Sequence, residues 1–120
     1  MTQEEKDLLF KDLSARLLYN VKGNYQNSDD KLLRSITIVY NYLKPNGMVM
    51  TGDIKPYLFP LSSMTEEQSK IYHELIGGMF GTSALINFEV LEDFFHKNHL
   101  DYKGLIEKNL AIDATNKNIY

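Results

Sequence analysis

Glu92, His96 and His99 are the residues of this sequence whose types and spacing could hold a metal ion. Separations of four and seven residues place the three side chains within about 60° of one another around a helix. One carboxylate and two imidazoles are suitable ligands for zinc or a similar ion. The alternative is a solvated helix face near a helix C-terminus, where a partly charged histidine interacts favourably with the helix dipole. We favour the solvated face, because the sequence supplies no further ligands to close a metal site.

Tyrosines in the first third of the chain could form a stacking surface for nucleic-acid bases on an open sheet face. The alternative is aromatic packing under the helices, with each hydroxyl kept in water. The net charge of −3 gives no general attraction for a phosphate backbone, so nucleic-acid binding ranks as the second functional hypothesis. Its candidate residues are Tyr25, Lys22, Arg34 and Tyr40, with Tyr19, Tyr42 and Lys31 nearby.

An apolar segment at residues 53–61 contains the candidates for a protein-binding surface. Pro56 and Pro60 each remove a backbone donor, so we predict an ordered connector and not an ordinary central strand. Buried aromatics there would pack on the helices, whereas exposed ones would form an apolar patch with basic neighbours. The candidate surface residues are Lys55, Tyr57, Phe59, Tyr102 and Lys103.

Two further motifs match functional patterns only in part. Residues 77–81 contain G-x-x-G, which can clamp a nucleic-acid backbone, but no cation lies between the glycines and no Lys-Ser or Lys-Thr follows them. Helix termination explains these glycines better. Ser62 and Ser63 lie outside any G-x-S-x-G elbow. The sequence therefore indicates no catalytic residue and no cofactor.

The composition predicts one small, soluble domain spanning residues 1–120. A chain of 120 residues with 43% hydrophobic residues can bury a core without metals or disulfides. It contains no cysteine, which excludes thiolate chemistry and agrees with a reducing compartment. The first residues lack a signal-peptide pattern, and no apolar run approaches the ~20 residues that span a bilayer. We therefore expect a cytoplasmic protein without a membrane partner.

Local signals predict a helix followed by early strands. Thr2 and Glu5 form a capping box, and leucines at helical spacing predict a helix over residues 3–16. Alternation predicts strands at residues 19–25 and 35–42, with turn-forming side chains at 27–30 between them. Residues 44–47 are the strongest turn signal, and 48–51 would return as a third, antiparallel strand.

The sequence predicts that the second half of the chain is helical. Thr65 and Gln68 form another capping box for a helix that Gly77 and Gly78 would end. Residues 79–86 are ambiguous. Asn87 could cap a third helix that stops near residue 98, with an apolar face of Phe88, Leu91, Phe94 and Phe95.

A short fourth helix could follow, capped by Asp101 and closed by Asn109 in a left-handed conformation. Residues 113–120 would fray as a tail. Together these signals predict an α+β fold: an N-terminal helix, a small early antiparallel sheet of about three strands and a helical C-terminal half.

Three strings resemble a family of uncharacterised small proteins from gut anaerobic bacteria and their prophages or other mobile elements. They are EEKDLLFKDLSARL at residues 4–17, IKPYLFPLSSMTEEQ at 54–68 and DYKGLIEKNLAIDATNKNIY at 101–120. The resemblance covers about half of the chain and implies no chemistry, cofactor or site residue. Where the family often has Pro-Tyr-Gly after the opening helix, this chain has Leu18, Tyr19 and Asn20.

The leading functional hypothesis is a non-enzymatic accessory or protein-interaction domain in a mobile-element context. Nucleic-acid binding through the early sheet face comes second, and an enzyme of unrecognised type comes third. A broad apolar patch would favour the first, a basic patch beside exposed tyrosines the second, and a pocket with converging polar groups the third.

Overall fold

The computed structural model describes residues 2–25, 28–39, 42–46, 54–79 and 84–120. It confirms the α+β class, with one helix before a small mixed sheet and two helices in the second half. The helices are α1 (Gln3–Arg16), α2 (Glu66–Met79) and α3 (Ala84–Lys97). The strands are β1 (Lys22–Tyr25), β2 (Ser28–Leu32), β3 (Ile36–Val39), β4 (Tyr42–Pro45), β5 (Lys55–Pro60), β6 (Leu100–Asp101) and β7 (Ile112–Asp113).

Helix α1 has the bounds and the cap that its sequence predicts. The Thr2 hydroxyl accepts from the Glu5 amide at 3.1 Å, and the Glu5 carboxylate accepts from the Thr2 amide at 2.8 Å. These bonds from Thr2 lower the pKa of Glu5. Leu9 and Leu13 are fully buried, so the leucine stripe faces the core as expected.

Strand β1 begins later than predicted. Residues Leu17–Tyr19 extend α1 by one 3₁₀ turn, and Asn20 then takes a left-handed φ of 60°. Asparagine tolerates this conformation better than most residues, so it can reverse the chain at the helix end. Val21, which follows it, is fully buried, and β1 proper starts at Lys22.

The early strands pair differently from the prediction. Residues 28–30 belong to β2 and not to a turn, and the run predicted as one strand forms two strands, β3 and β4. Val39 pairs with Tyr42 and Ile36 with Pro45, so the two strands are antiparallel. The predicted third strand, at residues 48–51, lies outside the described residues. Alternation alone could not show where the run folds back.

Asn46 keeps the turn role predicted for residues 44–47, although Lys44 and Pro45 before it are in β4. Its φ is 53°. Its Oδ1 accepts from the amides of Arg34 and Ser35, at 2.7 and 3.2 Å, and its Nδ2 donates to the Leu32 carbonyl at 3.1 Å. One side chain thus fixes the link between β2 and β3.

Strand β5 corrects the prediction of a connector at residues 53–61. It lies inside the larger sheet, antiparallel to β1 and parallel to β6 and β7. Its two prolines lie near its ends, and the donor of Phe59 between them still bonds the His99 carbonyl at 2.8 Å. Proline excludes a strand from a sheet interior only where its missing donor is needed.

Helices α2 and α3 differ from their predicted bounds. The capping box of α2 is confirmed, because Thr65 and Gln68 exchange bonds of 3.0 and 3.1 Å. The helix continues through Gly77 and Gly78 to Met79, so these glycines do not end it. Helix α3 starts at Ala84, three residues before the predicted cap.

The face of α3 is confirmed at Leu91, Phe94 and Phe95, which are buried. Phe88 is 47% exposed, which corrects its assignment to the core. Of the ambiguous residues 79–86, positions 80–83 lie outside the described residues.

The predicted fourth helix is replaced by strand β6 and a series of turns. Asp101 still caps these turns, because its carboxylate oxygens accept from the Leu105 and Ile106 amides at 2.9 Å each. Asn109 takes the predicted left-handed conformation, with φ at 60°. The apolar spacing of this segment suggested a regular helix, but the segment forms turns instead.

The tail predicted to fray makes specific contacts. Ile112 and Asp113 form β7, Ala114 is 1% exposed, and the Ala114 amide donates to the Leu58 carbonyl at 2.8 Å. The side chain of Tyr120 bonds the backbone of both β1 and β5.

Two apolar clusters form the core. The first joins α1 to the strands and the late turns, with Leu9, Leu13, Val21, Leu33, Ile54, Leu58 and Leu105 at its centre. The second joins α3 to β6 and α2, and its buried members are Leu91, Phe94, Phe95 and Leu100. No helix in the described part of the chain is long and apolar enough to cross a membrane.

Candidate functional site

A fully buried ion pair connects α1 with β6. The Nε of Arg16 donates to Oδ2 of Asp12 at 2.8 Å, and both side chains are 0% exposed. The Nη2 of Arg16 donates to the Leu100 carbonyl at 2.6 Å. The remaining atoms, Asp12 Oδ1 and Arg16 Nη1, have no hydrogen-bond partner among the described residues. A buried ion pair offsets the cost of desolvating its charges only where the surrounding structure holds it in good geometry.

A chain of three polar side chains lies beside this pair. The Tyr102 hydroxyl donates to Glu92 Oε2 at 3.0 Å, and His96 Nε2 lies 3.0 Å from the same hydroxyl. Because a phenol has one hydrogen, His96 must carry a proton on Nε2 and donate it to Tyr102. The Arg16 guanidinium carbon lies 5.7 Å from the centre of the Tyr102 ring. We call Asp12, Arg16, Glu92, His96 and Tyr102 the polar cluster.

Burial shifts the pKa values of His96 and Tyr102 away from the neutral range. Burial, followed by the positive charge of Arg16, lowers the pKa of His96, so the imidazole stays neutral. Burial and the bond to Glu92 raise the pKa of Tyr102 well above its usual range, so the phenol keeps its proton. At pH 7 the neutral imidazole of His96 therefore donates to Tyr102, and the protonated phenol of Tyr102 donates to Glu92.

A cavity of about 350 Å³ adjoins the polar cluster at Tyr102. Two of its polar side chains are engaged: Asp101 caps the following turns, and the Tyr102 hydroxyl is bonded to Glu92 and His96. The other lining residues are Pro60, Leu61, Ser62, Gly104, Ile106 and Glu107. A reacting group in this cavity would find no pair of converging acid and base from Asp101 and Tyr102.

The metal candidates lie in different surroundings from the predicted solvated face. His96 is 5% exposed, which corrects that prediction, because Tyr102 and Tyr19 cover it. His99 leaves the helix with a left-handed φ of 56°, so it does not continue the stripe of Glu92 and His96. Among the described residues, no three histidine or acidic side chains are grouped to hold a metal ion.

The five candidates for a protein-binding surface do not form one surface. The side chain of Tyr57 is buried, at 3% exposed, so it is not part of an exposed aromatic patch. Lys55 donates to Asn109 Oδ1 at 3.0 Å, and Phe59 packs in the second apolar cluster. Lys103 lies with its ammonium 5.4 Å from the centre of the Tyr102 ring.

Of the four nucleic-acid candidates, only the side chains of Lys22 and Arg34 are among the described ones. Lys22 is engaged by the tail, since its ammonium donates to the Ile119 carbonyl at 2.9 Å. Arg34 is exposed in the link between β2 and β3. The side chain of Tyr25 and all of Tyr40 lie outside the described residues. Tyr19 packs against His96 of α3 and not on a sheet face.

An exposed apolar residue that the sequence reading missed lies at the end of α1. Leu18 is 88% exposed, and its neighbour Tyr19 donates to Asp93 of α3 at 3.4 Å. Val90, which is 44% exposed, lies one turn before Asp93 on that side of α3. We call Leu18, Tyr19 and Val90, with the exposed acidic residues Glu89 and Asp93, the Leu18 patch.

Comparisons with protein-family models, curated proteins and solved structures found no match to this chain. The resemblance to small proteins of gut anaerobes and their mobile elements stays a prediction.

Proposed function

We propose that this protein is a non-enzymatic interaction domain that binds a protein partner through the Leu18 patch. The observation that carries the proposal is the 88% exposure of Leu18, a large aliphatic side chain, on the 3₁₀ turn that follows α1. Burying a leucine that is otherwise exposed contributes about 1.5–3 kcal/mol. A partner with an apolar pocket would supply that burial.

The backbone on both sides of Leu18 is fixed. Arg16 is buried in its ion pair, Asn20 takes a left-handed conformation, and Val21 is fully buried. A side chain displayed on a fixed turn loses little conformational entropy when a partner binds, which improves affinity.

Acidic residues of α3, the helix that Tyr19 contacts through Asp93, indicate the chemistry of the partner. Glu89 and Asp93 are exposed on the adjacent side of α3. A complementary surface would have an apolar pocket with lysine or arginine at its rim, since rim charges speed association and reject wrong partners.

The polar cluster supports this proposal as a structural element. It ties α1, α3 and β6 together next to the Leu18 turn through the bonds of Arg16 to Leu100 and of Tyr102 to His96 and Glu92. A cytoplasmic location and a prophage or mobile-element context stay predictions of the sequence.

Site-specific photo-crosslinking in the native host tests the proposal. Benzoylphenylalanine replaces Leu18 in one variant and Ile71, which is 39% exposed on α2, in a matched control. We expect a protein adduct of discrete mass at position 18 that is absent at position 71 and survives nuclease treatment. Identical adducts at both positions, no adduct at 18, or an adduct that nuclease removes would each contradict the proposal.

A further inference from the structure

The side chain of Tyr120 occupies a built pocket between β1 and β5. Its hydroxyl accepts from the Lys22 amide at 2.7 Å and donates to the Tyr57 carbonyl at 2.9 Å. Its ring stacks on His99 with centroids 3.7 Å apart and planes 10° apart, and Phe59 lies 6.0 Å away. Both hydrogen-bonding roles of the phenol are therefore satisfied by backbone groups, and its ring by a flat partner.

The pocket suits a neutral aromatic ring. Burial, followed by the positive charges of Arg16 and Lys22, lowers the pKa of His99 to about 4, so its imidazole is uncharged at neutral pH. The Lys22 ammonium lies 5.9 Å from the centre of the Tyr120 ring and donates to the Ile119 carbonyl at 2.9 Å. These residues thus contact both the phenol of Tyr120 and the backbone before it.

Tyr120 is anchored separately from the rest of the tail. The tail is fixed at Ala114, beside β5, and again at Ile119 and Tyr120, while residues 115–118 between these points are exposed. A cavity of about 360 Å³ lies under this bridge, lined by Asn24, Tyr57, Ile112, Lys117 and Ile119. Tyr120 itself remains 40% exposed, so the pocket opens to solvent.

We propose that the pocket formed by Lys22, Tyr57, Phe59 and His99 is a tyrosine-binding site. The chain's own tail fills it, and a tyrosine on an extended segment of another protein can enter it in exchange. The site uses none of the residues of the Leu18 patch, so it is an addition to the proposed function and does not depend on it.

The hydrogen bonds determine which aromatic residue fits. Phenylalanine would leave the Lys22 amide without its acceptor and the Tyr57 carbonyl without its donor. Phosphotyrosine has no hydroxyl proton to donate to Tyr57 and would place negative charge against carbonyl oxygens. The ligand is therefore unmodified tyrosine.

The test uses the full chain with Tyr120→Ala, which empties the pocket and leaves the remaining tail in place. Peptides of the sequence of residues 114–120 are titrated in and followed through the Lys22 and His99 amide resonances. We expect saturable binding of the tyrosine peptide, about tenfold weaker binding of its phenylalanine analogue, and no binding of the phosphotyrosine form. Adding His99→Asn, which suits the left-handed backbone but lacks the ring, should abolish binding.

Equal binding of the tyrosine and phenylalanine peptides, or no shift up to about 10 mM peptide, would overturn the proposal. If Tyr120→Ala does not fold, the wild-type chain is titrated instead. A tethered tail competes at an effective concentration on the order of millimolar, so excess tyrosine peptide should move the Tyr120 amide resonance to its free-tail position. An unmoved Tyr120 resonance under those conditions would overturn the exchange.

Discussion

The guanidinium Nε of Arg16 donates to Asp12 Oδ2 at 2.8 Å, and neither side chain is exposed to solvent. One helical turn separates the two residues, and the pair reaches the Leu100 carbonyl of β6 through Nη2. The opening helix is thus connected to the last third of the chain by a charge pair and not only by apolar packing. The pair also holds the turn that displays Leu18.

Removing one member of this pair should be strongly destabilising. We expect Arg16→Leu or Asp12→Leu to lower the free energy of unfolding by about 3–5 kcal/mol, because each leaves an uncompensated buried charge. The double variant should lose far less than the sum of the two single losses. Urea unfolding followed by circular dichroism measures this, with exposed Lys11→Ala on the same helix as control. Strictly additive losses in the free energy of unfolding would contradict the coupling of Asp12 and Arg16.

Tyr102→Phe tests the chain from His96 to Glu92. The change removes the acceptor of the His96 Nε2 proton and the donor to Glu92, so we expect a loss of about 1–3 kcal/mol in the free energy of unfolding. Tyr19→Phe is a matched control, because its hydroxyl makes one longer, exposed bond to Asp93. Equal losses in the two variants would show that Tyr102 has no special role.

His99 should make stability depend on pH between about 6.5 and 4. Its pKa in the folded protein is lowered to about 4 by burial, so the unfolded chain takes up a proton first as pH falls. The stabilisation is complete above pH 6.5, declines as pH falls toward 4, and levels off below it.

His99→Asn should reduce the slope of unfolding free energy against pH in this window. Asparagine tolerates the left-handed backbone, so the comparison isolates the imidazole. His73→Gln, which removes an exposed histidine on α2, is the control variant. A slope unchanged by His99→Asn would contradict the assignment.

Tyr120→Phe should destabilise the fold even though it keeps the ring on His99. The loss of two backbone hydrogen bonds predicts a decrease of about 0.5–1.5 kcal/mol in the free energy of unfolding, and Tyr120→Ala should cost more. Amide hydrogen exchange at Lys22 should accelerate in both variants. Exposed Lys117→Ala is the control, and wild-type behaviour of Tyr120→Ala would show that the tail makes no stable contact.

Features fixed by short-range chemistry could be predicted from the sequence. The capping boxes at Thr2 and Thr65 need only residues three positions apart, and Asn109 needs only its own tolerance of positive φ. The leucine stripe of α1 could also be predicted from the sequence, because one amphipathic helix has one way to bury its apolar side.

Features that depend on distant partners could not be predicted. The central place of β5 follows from its pairing with β1, β6 and β7. Its two prolines leave the Phe59 amide between them, which donates to the His99 carbonyl. The burial of His96 likewise depends on Tyr102, which a helical projection of α3 does not contain. Leu18 was missed because its exposure depends on where the chain turns at Asn20.

The most direct test of the proposed function is the affinity of the crosslinked partner for purified variants. We predict that Leu18→Asp raises the dissociation constant at least about tenfold, because a charge replaces the apolar anchor. Ile71→Asp, an equally polar change on α2, should alter it less than about twofold. Equal dissociation constants for the wild type and Leu18→Asp would contradict the proposal that the Leu18 patch binds the partner.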